Sequence, residues 1–473
     1  MINRYPVLSL MLVLGGLPND TSAEQDLREL VMQLNNQIKA LQSQVVQSNA
    51  RIDELEQKLL NSKVEKQHSI ADSAAGAQAT LVTARQSAAA YKQPEPAKPP
   101  VSAGDIKGTL KLPGTDTSIG FGGYIKLDTL FSSNGMGKDK LGNQRLEAAE
   151  IPVGTASAGE NDQISMHAKE SRFWIKSLTP SHWGDMNTYL EFDFFGDPAA
   201  YTYTPRLRHA YGSLGRLLAG QTWSTFLNSL AIVDTLDNSN SVGSLLTLRQ
   251  PQVRWTQPFS FGGAAMEWQL AVEAPRSRVW EARTQVMTTN SAGHYPDLIA
   301  RLNFIPDWGN ISLAAMGRQL RFSSSGLNVE KTVWGGAVNL AGKINTFGSD
   351  NLRFMFGYGD AFGRYAVNNF FADGYVNGAG EFDTLVSYSS MLAYQHWWDK
   401  SWRSTVAYGF ARADQPGFAG NANHQTQSLH ANLLWSPVLQ TTIGLEYIYA
   451  NRELVNGQNG ELNRVQLSTR FNF

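Results

Sequence analysis

From Ser118 to Phe473 the chain repeats one pattern: apolar residues at every second position, with polar or charged residues between them. The closing stretch Glu461–Phe473 shows it without a break. Val465, Leu467, Thr469, Phe471 and Phe473 fall on one side, and Arg464, Gln466, Ser468, Arg470 and Asn472 on the other. Such period-two alternation predicts a β-strand with two unlike faces. The segments from Leu352, Trp402, Leu429 and Ile443 repeat it. Phe354, Phe356 and Tyr358 oppose Arg353, and Val406, Tyr408 and Phe410 oppose Arg403 and Thr405. A two-sheet sandwich cannot bury so many aromatic-rich faces. A closed barrel that turns them towards lipid can.

The pattern predicts about sixteen strands, starting near Ile119, Ile164, Asn187, Arg206, Leu217, Arg249, Ala265, Asp297, Ile311, Thr332, Leu352, Phe382, Trp402, Gln425, Thr441 and Leu462. Their connections alternate. Short ones include Thr179–Asp185, Ser213–Arg216 and Asp399–Ser401. Long ones include Ser132–Gln163, Thr225–Leu248, Pro275–Pro296 and Asp360–Glu381. Short periplasmic turns and longer external loops are the signature of outer-membrane barrels. The last strand has to pair with the segment near Ile119, which leaves no open edge. Its terminal Phe473 resembles the end signal read by the barrel-assembly machinery.

Before Ser118 the pattern changes. Arg4 and the apolar run Val7–Leu17, followed by Thr21-Ser22-Ala23, predict a signal peptide over residues 1–23. Residues 24–67 then read as heptads. Val31, Ile38, Val45, Ile52 and Leu59 take a positions, and Leu27, Leu34, Leu41 and Leu55 take d positions, with Ser48 the soft d site. This predicts a periplasmic coiled coil about 50 Å long. β-Branched a residues with Leu at d favour two strands, whereas a trimeric barrel behind the coil favours three. Residues 68–117, rich in Ala, Ser and Pro, read as a linker stiffened near Pro94, Pro96, Pro99 and Pro100. The barrel is assigned to residues 118–473.

Composition narrows the possibilities. A net charge of -1 over 473 residues argues against a polybasic nucleic-acid binder. Charged residues make up only 17%, which suits a chain with one face in lipid. The absence of cysteine removes disulfides and thiolate chemistry. The eight histidines are scattered, with no ligand spacing, so neither a metal nor a cofactor is expected.

Parity places a set of charges on the lumen face. The cations are Lys126, Arg172, Lys176, Arg206, Arg208, Arg254, Arg301, Arg318, Arg353, Arg403, Arg464 and Arg470. The acids are Asp128, Glu170, Glu191, Asp193, Glu267, Glu273 and Glu446. A pore acts through the electrostatics of its lining, and arginine's planar fork suits carboxylates. Arg172, Arg206, Arg208, Arg254, Arg301, Arg353 and Arg470 are the candidates to bind an anionic solute. They could equally form a structural ladder with the lumen acids. The loop Thr225–Leu248 is the candidate constriction. If it folds inward, Asp234 and Asp237 are expected to face Arg206, Arg208 and Arg254.

The segment RLRHAYGSLGRLLAGQTWSTF (Arg206–Phe226) resembles the strand–turn–strand before the constriction loop in the DcaP-like family of outer-membrane channels. The heptads, the Pro-rich linker and the opening strand IGFGGYIKLD (Ile119–Asp128) extend the likeness over nearly the whole mature chain. The resemblance implies a homotrimer of sixteen-stranded porin barrels, joined through barrel and coiled coil. It also implies passive uptake of small organic anions of the dicarboxylate type. Sugar-type or general porins, a barrel enzyme and an envelope tether are the alternatives. A sugar porin predicts a file of lumen aromatics, whereas parity puts most aromatics outside.

Overall fold

The computed structural model describes residues 102–473, apart from 138–139, 155–160, 200–201, 240–241, 243–247, 291–292, 325–328 and 368–369. The signal segment, the heptads and most of the linker lie outside the described residues.

The alternating segments form a closed antiparallel barrel of sixteen strands. In chain order they are β1 (Ser118–Asn134), β2 (Asn161–His167 continued by Arg172–Thr179), β3 (Met186–Asp193), β4 (Arg206–Leu214), β5 (Leu217–Trp223), β6 (Arg249–Phe261), β7 (Ala264–Glu273) and β8 (Asp297–Ile305). They continue as β9 (Gly309–Ser324), β10 (Val329–Asn345), β11 (Asn351–Gly359), β12 (Ser387–Trp397), β13 (Trp402–Ala413), β14 (Asn423–Val438), β15 (Thr441–Leu454) and β16 (Asn459–Asn472). Each pairs with the next. Closure comes from β16 against β1, with Leu467 opposite Thr129 and Arg470 opposite Lys126.

The two faces behave as the alternation predicts. On β16, Val465, Leu467 and Phe471 are exposed on the outer wall, whereas Arg464, Gln466 and Ser468 are buried inside. Exposed aromatics gather at the short-turn end: Trp183, Phe261, Trp308, Phe347, Trp398, Trp402 and Trp435. Tyr295, Trp334, Tyr358, Tyr408 and Tyr447 are exposed towards the long-loop end. Two such girdles mark membrane interfaces. At the tightest turn, between β6 and β7, Gly262 and Gly263 both have positive φ (59° and 83°). That pair of angles is the type I′ geometry that matches strand twist, and glycine adopts it without strain.

Three features depart from the expected layout. First, β2 is broken at residues 168–171, and both of its halves pair with β1. Lys169 sits in the break, fully buried, and donates to the carbonyl of Asp197 at 3.0 Å and to that of Ala199 at 2.5 Å. Second, Phe382 does not begin a barrel strand. Phe382–Thr384 instead joins Ser277–Glu281, Val286–Asn290 and Gly374–Val376 in a small sheet made by two long loops. The Phe382 ring packs beside Phe322 there, so its apolar signal serves the loops rather than the wall. Third, residues 102–117 are not all linker. Ser102–Ala103 and Leu110–Lys111 form a hairpin that adds to β1, with Leu110 opposite Ile119.

The core of the molecule lies inside the barrel. Phe226, Leu227, Ala231 and Val233 of loop 224–248 and Phe362, Tyr365, Phe370 and Phe371 of loop 360–386 are all buried. They pack on a wall of small lumen-facing residues that includes Ala314, Ala337, Ala341, Ala393, Ala407 and Ala411. Small side chains on the inner face of β9–β13 leave the space that the two loops fill.

Candidate functional site: a basic wall and an in-folded loop

Loop 224–248 folds into the lumen and follows the wall from β8 round to β1. Arg301 donates to the carbonyl of Leu227, and Asn339 to that of Phe226 (2.9 Å). The Asn228 amide donates to Asn310 (2.7 Å) and Ser312 (2.9 Å). Arg353 donates to the carbonyl of Ile232. Asp234 accepts from Arg403 (2.7 Å) and Gln395 (2.8 Å), and its carbonyl accepts from Asn432 (2.8 Å). At the tip, Glu446 accepts from the backbone N–H of Leu236 (2.7 Å), while Lys126 donates to the carbonyl of Leu236 (2.6 Å). A segment of peptide inside a barrel has to satisfy its own N–H and C=O groups, and polar lumen side chains do that here.

The loop acids do not face Arg206, Arg208 and Arg254. Asp234 turns to Arg403, on β13. Asp237 is buried and accepts from the N–H of Leu146 (2.7 Å) and of Ser239 (2.8 Å). Burial pushes its carboxyl above the ordinary range, against the pull of Arg464. The carbonyl-rich loop found its partners on the wall it lies against, and its acids followed.

The opposite arc carries a basic wall. Arg206 grips Asp193 with two bonds, Nε at 2.9 Å and an Nη at 2.6 Å. Arg208 bridges Glu191 (2.6 Å) and Asp193 (2.8 Å) and is almost fully buried. Arg172 lies 3.5 Å from Glu191. Arg172 and Arg470 flank the Tyr124 ring at 5.1 and 5.3 Å from its centroid. Arg249, which parity assigns to the lipid face, stacks on Trp223 at 4.5 Å and lies within electrostatic reach of Arg172, Arg206, Arg208 and Asp193. Arg254 is half-buried on β6, near Glu267 and Glu273, and makes no ion pair among the described residues.

The seven candidate arginines therefore divide. Arg301 and Arg353 hold the loop. Arg206 and Arg208 are ladder-paired, and Arg172 is partly so. Arg254 and Arg470 carry charge that, among the described residues, no carboxylate in contact neutralises. Among the other lumen cations, Lys126 and Arg464 are buried beneath loops rather than free. Lys126 pairs with Glu170 (2.6 Å), and Arg464 donates to Ser132 (2.8 Å) and to the carbonyl of Gly142. Arg318 is fully buried between Asp297 (3.3 Å) and Asp373 (3.1 Å). Trp174, Tyr189 and Tyr211 add rings to the lumen side of β2–β4, more than the outward parity of most aromatics suggests.

The barrel fold has counterparts among known proteins. No curated protein matches the sequence significantly. Among solved structures, the fold is similar to the outer membrane channel DcaP of Acinetobacter baumannii, with a TM-score of 0.65 and 20% identity over 79% of this chain and 100% of that one. The anion-selective porin from Comamonas acidovorans matches at a TM-score of 0.47 and 12% identity, over 76% and 100% of the two chains. Salmonella typhi OmpF matches at 0.49 and 9%, over 76% and 98%. The family profile described as DcaP outer membrane protein matches residues 102–473, and the chain belongs to that family of outer-membrane channels.

Proposed function

We propose that this channel prefers anions and that its solutes are small organic anions of the dicarboxylate type. The observation that carries the reading is the orientation of the loop acids. Asp234 is engaged by Arg403 and Gln395, and Asp237 is buried, so neither offsets the far wall. There Arg172, Arg206, Arg208, Arg249 and Arg254 stand against Glu191, Asp193, Glu267 and Glu273, a net excess of one positive charge. The excess positive field draws in an anion, and Arg254 and Arg470 offer unshared donors. Because these groups are partly solvated, binding stays weak enough for release.

The assembly belongs to the same proposal. The signal peptide (1–23) directs export, and the barrel-assembly machinery inserts the barrel into outer-membrane lipid. The coiled coil (24–67) stands in the periplasm and, with the barrel, joins a homotrimer. The linker begins at residue 68 and reaches the hairpin that adds to β1.

Block of single-channel current by a panel of linear dicarboxylates tests the solute class. Concentration-dependent block is expected, and Arg254→Gln is expected to weaken it about tenfold, the loss of one charge-assisted hydrogen bond of roughly 1.5 kcal/mol. The lumen rings Trp174, Tyr189 and Tyr211 favour a second reading, a sugar-type porin. A neutral oligosaccharide that blocks better than any dicarboxylate would decide for it.

A further inference from the structure

Below the in-folded loop lies a chamber of about 1390 Å³. Ser229, Leu230, Ile232, Val233 and Asp234 form its roof. Its floor is made by the short turns, at Phe347–Asp350, Asp399–Lys400 and Leu439. Short turns mark the periplasmic end, so the chamber opens towards the periplasm.

The charges around it are unevenly satisfied. Asp350 accepts from the N–H of Trp397 (2.8 Å), from the His396 ring (2.7 Å) and from the Tyr394 hydroxyl (2.9 Å). Asp399 accepts from the N–H groups of Ser401 (2.6 Å) and Trp402 (2.8 Å). Asp234 is held by Arg403. The cations are less well served. Lys343 on β10 stands directly opposite Arg353 on β11, and both line the chamber. Among the described residues Arg353 hydrogen-bonds neutral acceptors, Asn351 (2.8 Å), Gln395 (3.3 Å) and the Ile232 carbonyl, with Asp234 acting on it at longer range. Neither Lys343 nor Arg353 nor Arg470 is ion-paired among the described residues. Like charges directly across a ladder repel, a destabilising contact on this wall. An anion bridging Lys343 and Arg353 removes it. Trp397 and the roof residues Leu230 and Ile232 add apolar surface to the same chamber.

We infer that this chamber is a second anion-binding station on the periplasmic side of the loop, for organic anions that carry an apolar body as well as a carboxylate. It deepens the anion reading above by adding a site after the basic wall, where a solute pauses before release.

The probe is 4-bromobenzoate, whose bromine is located by anomalous scattering in crystals of the intact protein equilibrated over a concentration series. The expected result is a bromine peak in the chamber near Trp397 or Leu230. In Lys343→Gln the half-occupancy concentration is expected to rise about fivefold, the effect of one partly screened charge, and Lys343→Arg is expected to restore it. Heat-modified mobility on gels verifies that each variant is folded. A chamber without bromine, or equal occupancy in Lys343→Gln, overturns the inference. Reversal potentials of the same proteins separate the two readings. Bromine in the chamber of a channel with no anion preference would leave this site standing while removing the selectivity proposal.

Discussion

The Arg318→Ala protein is expected to keep its barrel but release residues 360–386 from the lumen, with a larger single-channel conductance. Arg318 is fully buried on β9 and joins two carboxylates, Asp297 of the β8 wall and Asp373 of the loop. It also donates to the carbonyls of Ala361 (3.0 Å) and Arg276. Around it, the Tyr365 hydroxyl donates to Asp297 (2.9 Å), and Asp373 accepts from the N–H groups of Arg364 (2.7 Å) and Arg278 (2.9 Å). Removing one partner of a buried ion pair costs about 3–5 kcal/mol, because the remaining charge has no solvent. Two carboxylates lose the cation they share here, with Arg364 still 4.0 Å from Asp297, and the cheapest relief is for the loop to swing into water. The wall strands keep their ladders. Trypsin cleavage after Arg364 reports the release, and planar-bilayer conductance reports the widening. A variant as resistant and as narrow as the wild type would show that the loop is held by its apolar packing alone.

Glu446→Ala acts on the other in-folded loop, and only at its tip. The Glu446 carboxylate is fully buried and accepts from the N–H of Leu236 (2.7 Å), from Asn432 (3.0 Å) and from the His430 ring (3.0 Å). Each bond to a charged acceptor contributes roughly 1.5–3 kcal/mol, and of these three only the Leu236 bond reaches the loop, so the loss at the tip is about 1.5–3 kcal/mol. The anchors at Asn228, Arg301, Arg353 and Arg403 remain. Flickering of the open-channel current is therefore expected, without a large change in mean conductance. Glu446→Gln keeps one acceptor oxygen for Leu236 and is expected to flicker less. Quiet current in Glu446→Ala would mean that Lys126 and Gln466, which also bond the Leu236 carbonyl, suffice to pin the tip.

Local alternation is a short-range property, and it made the strands, their faces and the short turns legible. β16 shows this best: each residue from Arg464 to Ser468 takes the face its parity assigns. What parity cannot carry is a slip in register. Between Glu191 and Phe192 the β3–β4 pairing shifts, and Arg208 and His209 are both buried although they are neighbours in sequence. Arg249 escaped notice for a related reason, since Val253 and Trp255, on its own parity, are exposed to lipid. Partner choice inside the lumen was also out of reach. Asp234 and Arg403 are 169 residues apart, and no local pattern says which arginine an in-folded acid will meet. One overlooked signal did point to the seat of the loops. Ala314, Ala341, Ala393 and Ala407 occupy lumen positions on β9, β10, β12 and β13, where a water-filled pore would carry polar side chains.

The central claim is that the wall of Arg172, Arg206, Arg208, Arg249 and Arg254, with the loop acids turned away from it, gives the pore an anion preference. The reversal potential across a planar bilayer under a potassium chloride gradient measures this directly. The account predicts a potential of the sign set by chloride, moving towards zero in the Arg172→Gln/Arg254→Gln double variant. A potential of the sign set by potassium in the wild type, or one unchanged by the double substitution, would contradict it.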